Sequence, residues 1–158
     1  MHKLILTLIL FLFAFIQANA ENNNTNSISV HNPWVRWAPA NAPVLGVFMQ
    51  IDNNTASDVR LIGVDVIGYQ RAEIHRTIND DGLMKMVRQD FAPIAAGREL
   101  KLQPGGWHIM LIKPEQVPSA GDEVPMVLHF DDGSEQTVRV PVKDSRINMQ
   151  MHDHHHEH

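Results

Sequence analysis

Four side chains in this cysteine-free chain could do chemistry together: His75, Met86, His108 and Met110. Ten residues separate His75 from Met86 and twenty-one separate Met86 from His108, which is followed by Ile109 and Met110. Two imidazoles and two thioethers make a neutral, soft donor set. Thioethers bind hard ions such as Ca²⁺ or Mg²⁺ poorly and favour Cu(I) among the common metals. Taken singly, each residue also has an ordinary structural use, since methionine fills gaps in cores and histidine sits at their edges. The residues alone leave both a soft-metal site and a packing role open.

Strand alternation would bring these groups to one place. His108 and Met110 are separated by one residue, so both leave one face of a strand while Trp107, Ile109 and Leu111 face a core. Met84 and Met86 are related in the same way, just after the turn signal Asn79-Asp80-Asp81-Gly82. His75 is expected to end the strand before that turn, and the hairpin to return it toward the methionine strand. Strands give fixed positions, which a four-coordinate site needs.

The rest of the chain supplies such strands. Short alternating segments between recurrent turn signals predict an all-β sandwich or barrel. Expected strands are Ile28–Val30, Val44–Asp52, Val59–Val66, Gln70–His75, Leu83–Arg88, Glu99–Leu102, His108–Ile112, Val124–Phe130 and Glu135–Val142. Further turns fall at Gln103-Pro104-Gly105-Gly106 and Asp131-Asp132-Gly133-Ser134. Met126, Leu128 and Phe130 share a face that Val138 and Val140 can meet across the second of these. His129 then points the other way, beside Thr137 and Arg139, and it and His31 are expected to be ordinary sheet histidines. Trp34, Trp37 and Phe48 are expected at the core or its edge, with Met49 filling a packing gap.

The ends of the chain differ in kind from its middle. Lys3, an apolar run from Leu4 to Ile16 and Ala18-Asn19-Ala20 predict a cleaved export signal over residues 1–20, with the mature chain starting at Glu21. A lipid anchor at that cleavage site would need a cysteine, and there is none. A soft-metal protein in an oxidising compartment has reason to lack thiols, which would form disulfides there. Residues 147–158 lose the β pattern and contain Met149, Met151, His152, His154, His155, His156 and His158. Imidazoles interspersed with Asp153 and Glu157 suit Cu(II), and the two methionines suit Cu(I), so a disordered metal-binding tail is expected after a β domain spanning 21–146.

Several function classes are excluded or unsupported. The formal net charge is −5 with histidine neutral, and no basic stripe interleaves with aromatics, which argues against nucleic acid. Type 1 copper electron transfer needs a cysteine thiolate. No nucleophile motif, phosphate loop or paired carboxylates suggest an enzyme.

From about Val30 to Val142 the chain resembles the periplasmic copper chaperone family PCu(A)C. The family pattern, histidine, ten residues, methionine, twenty-one residues, then histidine-x-methionine, falls on His75, Met86, His108 and Met110. The runs Asp81-Gly82-Leu83-Met84-Lys85-Met86 and Leu102-Gln103-Pro104-Gly105-Gly106-Trp107-His108 are also similar, as is the Gly121-Asp122 step. One departure is that Arg76 and Thr77 follow His75 where relatives often place Glu or Met. The resemblance implies a single-domain, cupredoxin-like Greek-key β-barrel or sandwich holding Cu(I) at those four residues near the surface. It also implies a carrier working in the periplasm; a monomer that is not an enzyme is expected. Such a carrier would deliver copper to the dinuclear centre on subunit II of cytochrome c oxidase, directly or through a Sco-type thiol protein. A periplasmic copper or zinc buffer is the alternative.

Overall fold

The computed structural model describes residues 27–144, so the expected signal and the Met/His-rich tail lie outside the described residues. Ten strands follow in order: β1 Ile28–Arg36, β2 Val44–Asn53, β3 Val59–Val66, β4 Tyr69–Asp80, β5 Leu83–Gln89, β6 Ala92–Ile94, β7 Glu99–Leu102, β8 Trp107–Pro114, β9 Glu123–Phe130 and β10 Glu135–Lys143. They form one sheet in the order β5-β4-β8-β7-β2-β1-β10-β9-β3-β6. The chain's all-β character follows the alternation read from the sequence. Among the described residues no helix is long and apolar enough to cross a membrane.

The sheet folds over so that its two halves share one core. The half built from β1, β2, β4, β7 and β8 contributes Val35, Val47, Ile51, Ile74, Leu102, Ile109 and Leu111. Across from it lie Leu61, Ile94, Met126, Leu128, Phe130 and Val140 from β3, β6, β9 and β10. Removing this much apolar surface from water stabilises the domain without a disulfide. The expected meeting of Val138 with Met126 is present as a direct cross-strand pair, while Val140 pairs with Val124 instead. His129 has different neighbours from those expected. Its Nε2 lies 2.8 Å from Asp65 of β3 and its Nδ1 lies 3.1 Å from Glu135 of β10.

Three features of this frame bear on the outer face of the β5-β4-β8-β2-β1 layer. First, β4 runs five residues past the expected end at His75, so His75 lies inside the strand and pairs on both sides. Continuous pairing with β5 as far as Asp80↔Leu83 carries it there. Second, β1 does not stop at Val30. A bulge between His31 and Trp34, with Asn32 at φ 48°, adds a residue and resets the alternation. Val35 consequently enters the core while Trp34 turns outward, where its ring stacks at 4.6 Å on Phe48. Phe48 is thus buried on the outer face, whereas Met49 fills the core as expected. Third, β7 and β8 lie in succession along β2, β7 against Met49–Asp52 and β8 against Val44–Val47. The loop Gln103–Gly106 joins them and ends with the Gly106 carbonyl facing β4, where it accepts from the Thr77 amide at 3.0 Å.

The β4–β5 hairpin turns in two residues, Asp81 at φ 50° and Gly82 at φ 86°. Left-handed conformations at both central positions match the twist of the flanking strands. The Gly82 amide donates to Asn79 Oδ1 at 2.8 Å, and Lys85 pairs with Asp80. A Cβ at Gly82 meets no neighbour within 4 Å, so only its backbone angle opposes substitution. Gly82→Ala is expected to lower stability by about 1 kcal/mol, measured by urea unfolding, and to speed amide exchange in β4 and β5.

Candidate metal centre

Alternation about the core residues defines the outer face. Ile74 of β4 and Ile109 and Leu111 of β8 point inward, so Glu73, His75, His108 and Met110 point outward. In the β4–β8 ladder His75 is directly opposite His108, and Glu73 is directly opposite Met110. The two imidazole centroids are 5.8 Å apart. On the other side of β4, Thr77 faces Met86 and Asn79 faces Met84. The four expected residues therefore share one face of three adjacent strands, with the two histidines directly opposed and Met110 the next outward residue of β8. Met86 is the diagonal neighbour of His75 across β4 and β5 and is 64% exposed. Met84 lies two residues farther along the strand, about 7 Å more distant at the usual rise.

Hydrogen bonds set the tautomers of both rings. His108 Nδ1 lies 3.0 Å from the Gly106 carbonyl, which can only accept, so this nitrogen carries the proton. His75 Nε2 lies 2.8 Å from Glu73 Oε2, again an acceptor. The remaining nitrogens, His75 Nδ1 and His108 Nε2, are buried and have no hydrogen-bond partner. Among the described residues the only other buried side-chain atom in this condition is Thr77 Oγ1, on the same face between His75 and Met86. A buried, unpartnered polar atom costs about 1–3 kcal/mol. Two unpartnered imidazole nitrogens on directly opposed residues, each ring held by an acceptor on its other nitrogen, form the arrangement that metal-ligating histidines adopt. The donor set fits a soft ion.

The surroundings tune this pair. Glu73 was not expected from the sequence, yet it sits two residues from His75 on the same face, a signal that strand periodicity could have supplied. Hydrogen bonds from Arg71 and His75, opposed by partial burial, hold its pKa down at about 2. It is an anion at neutral pH. His108 is 5% exposed, and burial pushes its pKa below 6.5; the Gly106 hydrogen bond opposes the shift and His75 adds to it. Phe48 stands at 6.4 Å from the His108 ring, with Trp34 behind it and the Arg36 guanidinium 5.3 Å from the Phe48 centroid. Gly46, in register with Met110, leaves room for the Phe48 ring, which lies 3.1 Å from where a Cβ would stand.

The family model described as LpqE-like matches residues 28–142. The chain belongs to the LpqE-like family. The uncharacterized protein RP573 of Rickettsia prowazekii (strain Madrid E) is 33% identical over 97 residues, covering 61% of this chain and 54% of that protein. The protein of Leifsonia xyli subsp. xyli named "Putative lipoprotein Lxx21020" is 31% identical over 121 residues, covering 75% of this chain and 71% of its own. The chain thus spans about half the length of the first of these relatives.

Solved structures resemble this LpqE-like domain along most of their length. The copper-bound PCuAC domain from PmoF2 aligns with a TM-score of 0.64 at 22% identity, over 75% of this chain and 93% of that domain. Apo-DR1885 from Deinococcus radiodurans gives 0.59 at 21% identity, over 91% and 96%. CuI-DR1885 gives 0.56 at 24% identity, over 81% and 84%. The fold is therefore the cupredoxin-like one of PCuAC domains, as the resemblance implied.

The histidine geometry has a measurable consequence without metal. Long-range ¹H–¹⁵N spectra should show His108 protonated at Nδ1 and bare at Nε2, with a protonation midpoint below 6.5. Because its folded pKa is depressed, His108 contributes stability that is present above the unfolded value and lost as pH falls below about 6.5. The urea midpoint should fall over that range, and less so in His108→Leu.

Proposed function

We propose that this LpqE-like protein is an exported copper carrier that holds Cu(I) at His75, Met86, His108 and Met110. The observation that carries this reading is the pair of buried, unpartnered ring nitrogens on opposed residues of β4 and β8. His75 would bind through Nδ1 and His108 through Nε2, the atoms their hydrogen bonds leave bare. Met110 stands beside His108 on the same face, and Met86 closes the site from the edge strand. Four neutral donors leave the bound ion with its single positive charge and no thiolate to tighten the complex.

That geometry suits delivery. The imidazoles are fixed, while the exposed Met86 is the ligand an incoming donor can replace. A cysteine-bearing acceptor would outcompete a thioether for Cu(I), which fits a Sco-type assembly protein or the dinuclear copper centre on subunit II of cytochrome c oxidase. Copper-bound relatives of the same fold support the cargo, and the leader-like residues 1–20 support a periplasmic location. Residues 147–158 would add a second, weaker binding segment able to capture Cu(II). The protein acts without catalysis.

Anaerobic titration of the full chain with Cu(I) against a competing chelator tests the assignment. His108→Ala should lose one tight equivalent relative to the unaltered chain, whose tail is the same. An unchanged stoichiometry and affinity would place the metal elsewhere. Met86→Ala should weaken Cu(I) binding by about tenfold or more, roughly 1.4 kcal/mol, with Met84→Ala near neutral. Equal losses would mean that β5 offers either methionine.

A further inference from the structure

We propose that Arg71 withholds Glu73 from the metal centre, and that this restraint sets the centre's preference for a soft ion over Zn(II) or Cu(II). The inference rests on the metal site proposed above. Arg71, Glu73 and His75 occupy successive outward positions of β4, opposite Ile112, Met110 and His108 of β8. Glu73 Oε1 accepts from Arg71 Nε at 2.5 Å, and Oε2 faces His75 Nε2 at 2.8 Å. Both oxygens of the carboxylate that touches the site are thereby engaged.

Glu73 carries a risk for a soft site. Its side chain is 11% exposed and lies across the ladder from Met110, one of the two thioether donors. A carboxylate oxygen free to turn there in place of Met110 would change the donor set from two nitrogens and two sulfurs to two nitrogens, one sulfur and one oxygen. Exchanging a thioether for a carboxylate oxygen moves the site toward Zn(II) and Cu(II), because oxygen donors suit those ions whereas thioether sulfur selects Cu(I). Arg71 prevents the turn, because its planar fork holds the carboxylate by a directed hydrogen bond as well as by charge. With Arg71 on one oxygen and His75 on the other, Glu73 acts on the metal only through the imidazole. It keeps the proton on Nε2 and leaves Nδ1 to bind. The Arg71 side chain is 51% exposed, and an ion pair so open to water adds little to stability. Its value is positional.

Full-length Arg71→Ala, Glu73→Gln and the double variant would be titrated separately with Zn(II) and, anaerobically, with Cu(I). Ring ¹⁵N shifts of His75 and His108 report binding at this site, apart from the tail histidines that all the chains share. Arg71→Ala is expected to tighten Zn(II) relative to Cu(I) at these two rings by about tenfold. The gain should vanish in the double variant, which lacks the carboxylate. In the metal-free Glu73→Gln chain the His75 ring should show a mixture of tautomers. An unchanged Zn(II) to Cu(I) ratio in Arg71→Ala, or a gain that survives in the double variant, would overturn the proposal while leaving the metal centre intact. Failure of either metal to move either ring in the unaltered chain would overturn the metal centre as well.

Discussion

The register between β4 and β8 is the constraint on which the outer face depends. His75 opposes His108 because Ile74 opposes Ile109 one step away, and that apolar pair is held inside the core. A slip of one residue would turn two isoleucines toward solvent and two polar rings into hydrocarbon, which the hydrophobic effect forbids at several kcal/mol. The core thus specifies the histidine face without touching it. The Gly106 carbonyl adds a second lock, since it accepts from the Thr77 amide and faces His108 Nδ1 together. One acceptor fixes the β4 register and the His108 tautomer at the same time.

Burying two lone pairs without partners works against stability, and the surrounding structure shows how the cost is contained. Burial disfavours the charged form of His108, and Glu73 holds the Nε2 side of the His75 ring. Phe48, Trp34 and Gly46 fill the flank with apolar and small groups, so water has few polar partners there beyond the nitrogens themselves. The strain is confined to a few atoms of an otherwise conventional sandwich. Such local exceptions to polar satisfaction are expected where a protein holds a ligand rather than where it holds itself together.

Much of this was legible in the chain, and what was not has physical causes. His108-Ile109-Met110 could be read as a strand face because a period of two has no alternative interpretation once Ile109 is placed in the core. The Asp81-Gly82 turn was equally plain, since its residue types match its two positive φ values. The length of β4 was hidden because Arg76, Thr77 and Asn79 carry no apolar alternation; they are held by pairing with β5 rather than by burial. The β1 bulge was missed because Asn32-Pro33 reads as a break, while here it reverses the faces and lets the strand continue. β6, three residues long, offered too little pattern. Glu73 escaped notice because an acidic residue on an exposed face is commonplace until its neighbours across the ladder are known.

An unequal distribution of exposure among the four donors follows from where each strand sits in the sheet. β8 lies inside the layer, flanked by β4 and β2, so His108 is enclosed by neighbours on both sides. β5 is the sheet edge and is exposed along nearly its whole length, so Met86 has a partner strand on one side only. A metal held between these strands would be bound from the inside by groups that cannot move and from the outside by one that can. Exchange by stepwise ligand replacement requires that asymmetry, because a site enclosed on every side must release its ion to water before another protein can take it. Placing a thioether at the edge, where its own flexibility is greatest, makes the outermost bond also the weakest. On the proposed reading, transfer would begin at β5, and the direction in which copper leaves is already decided by the order of the strands.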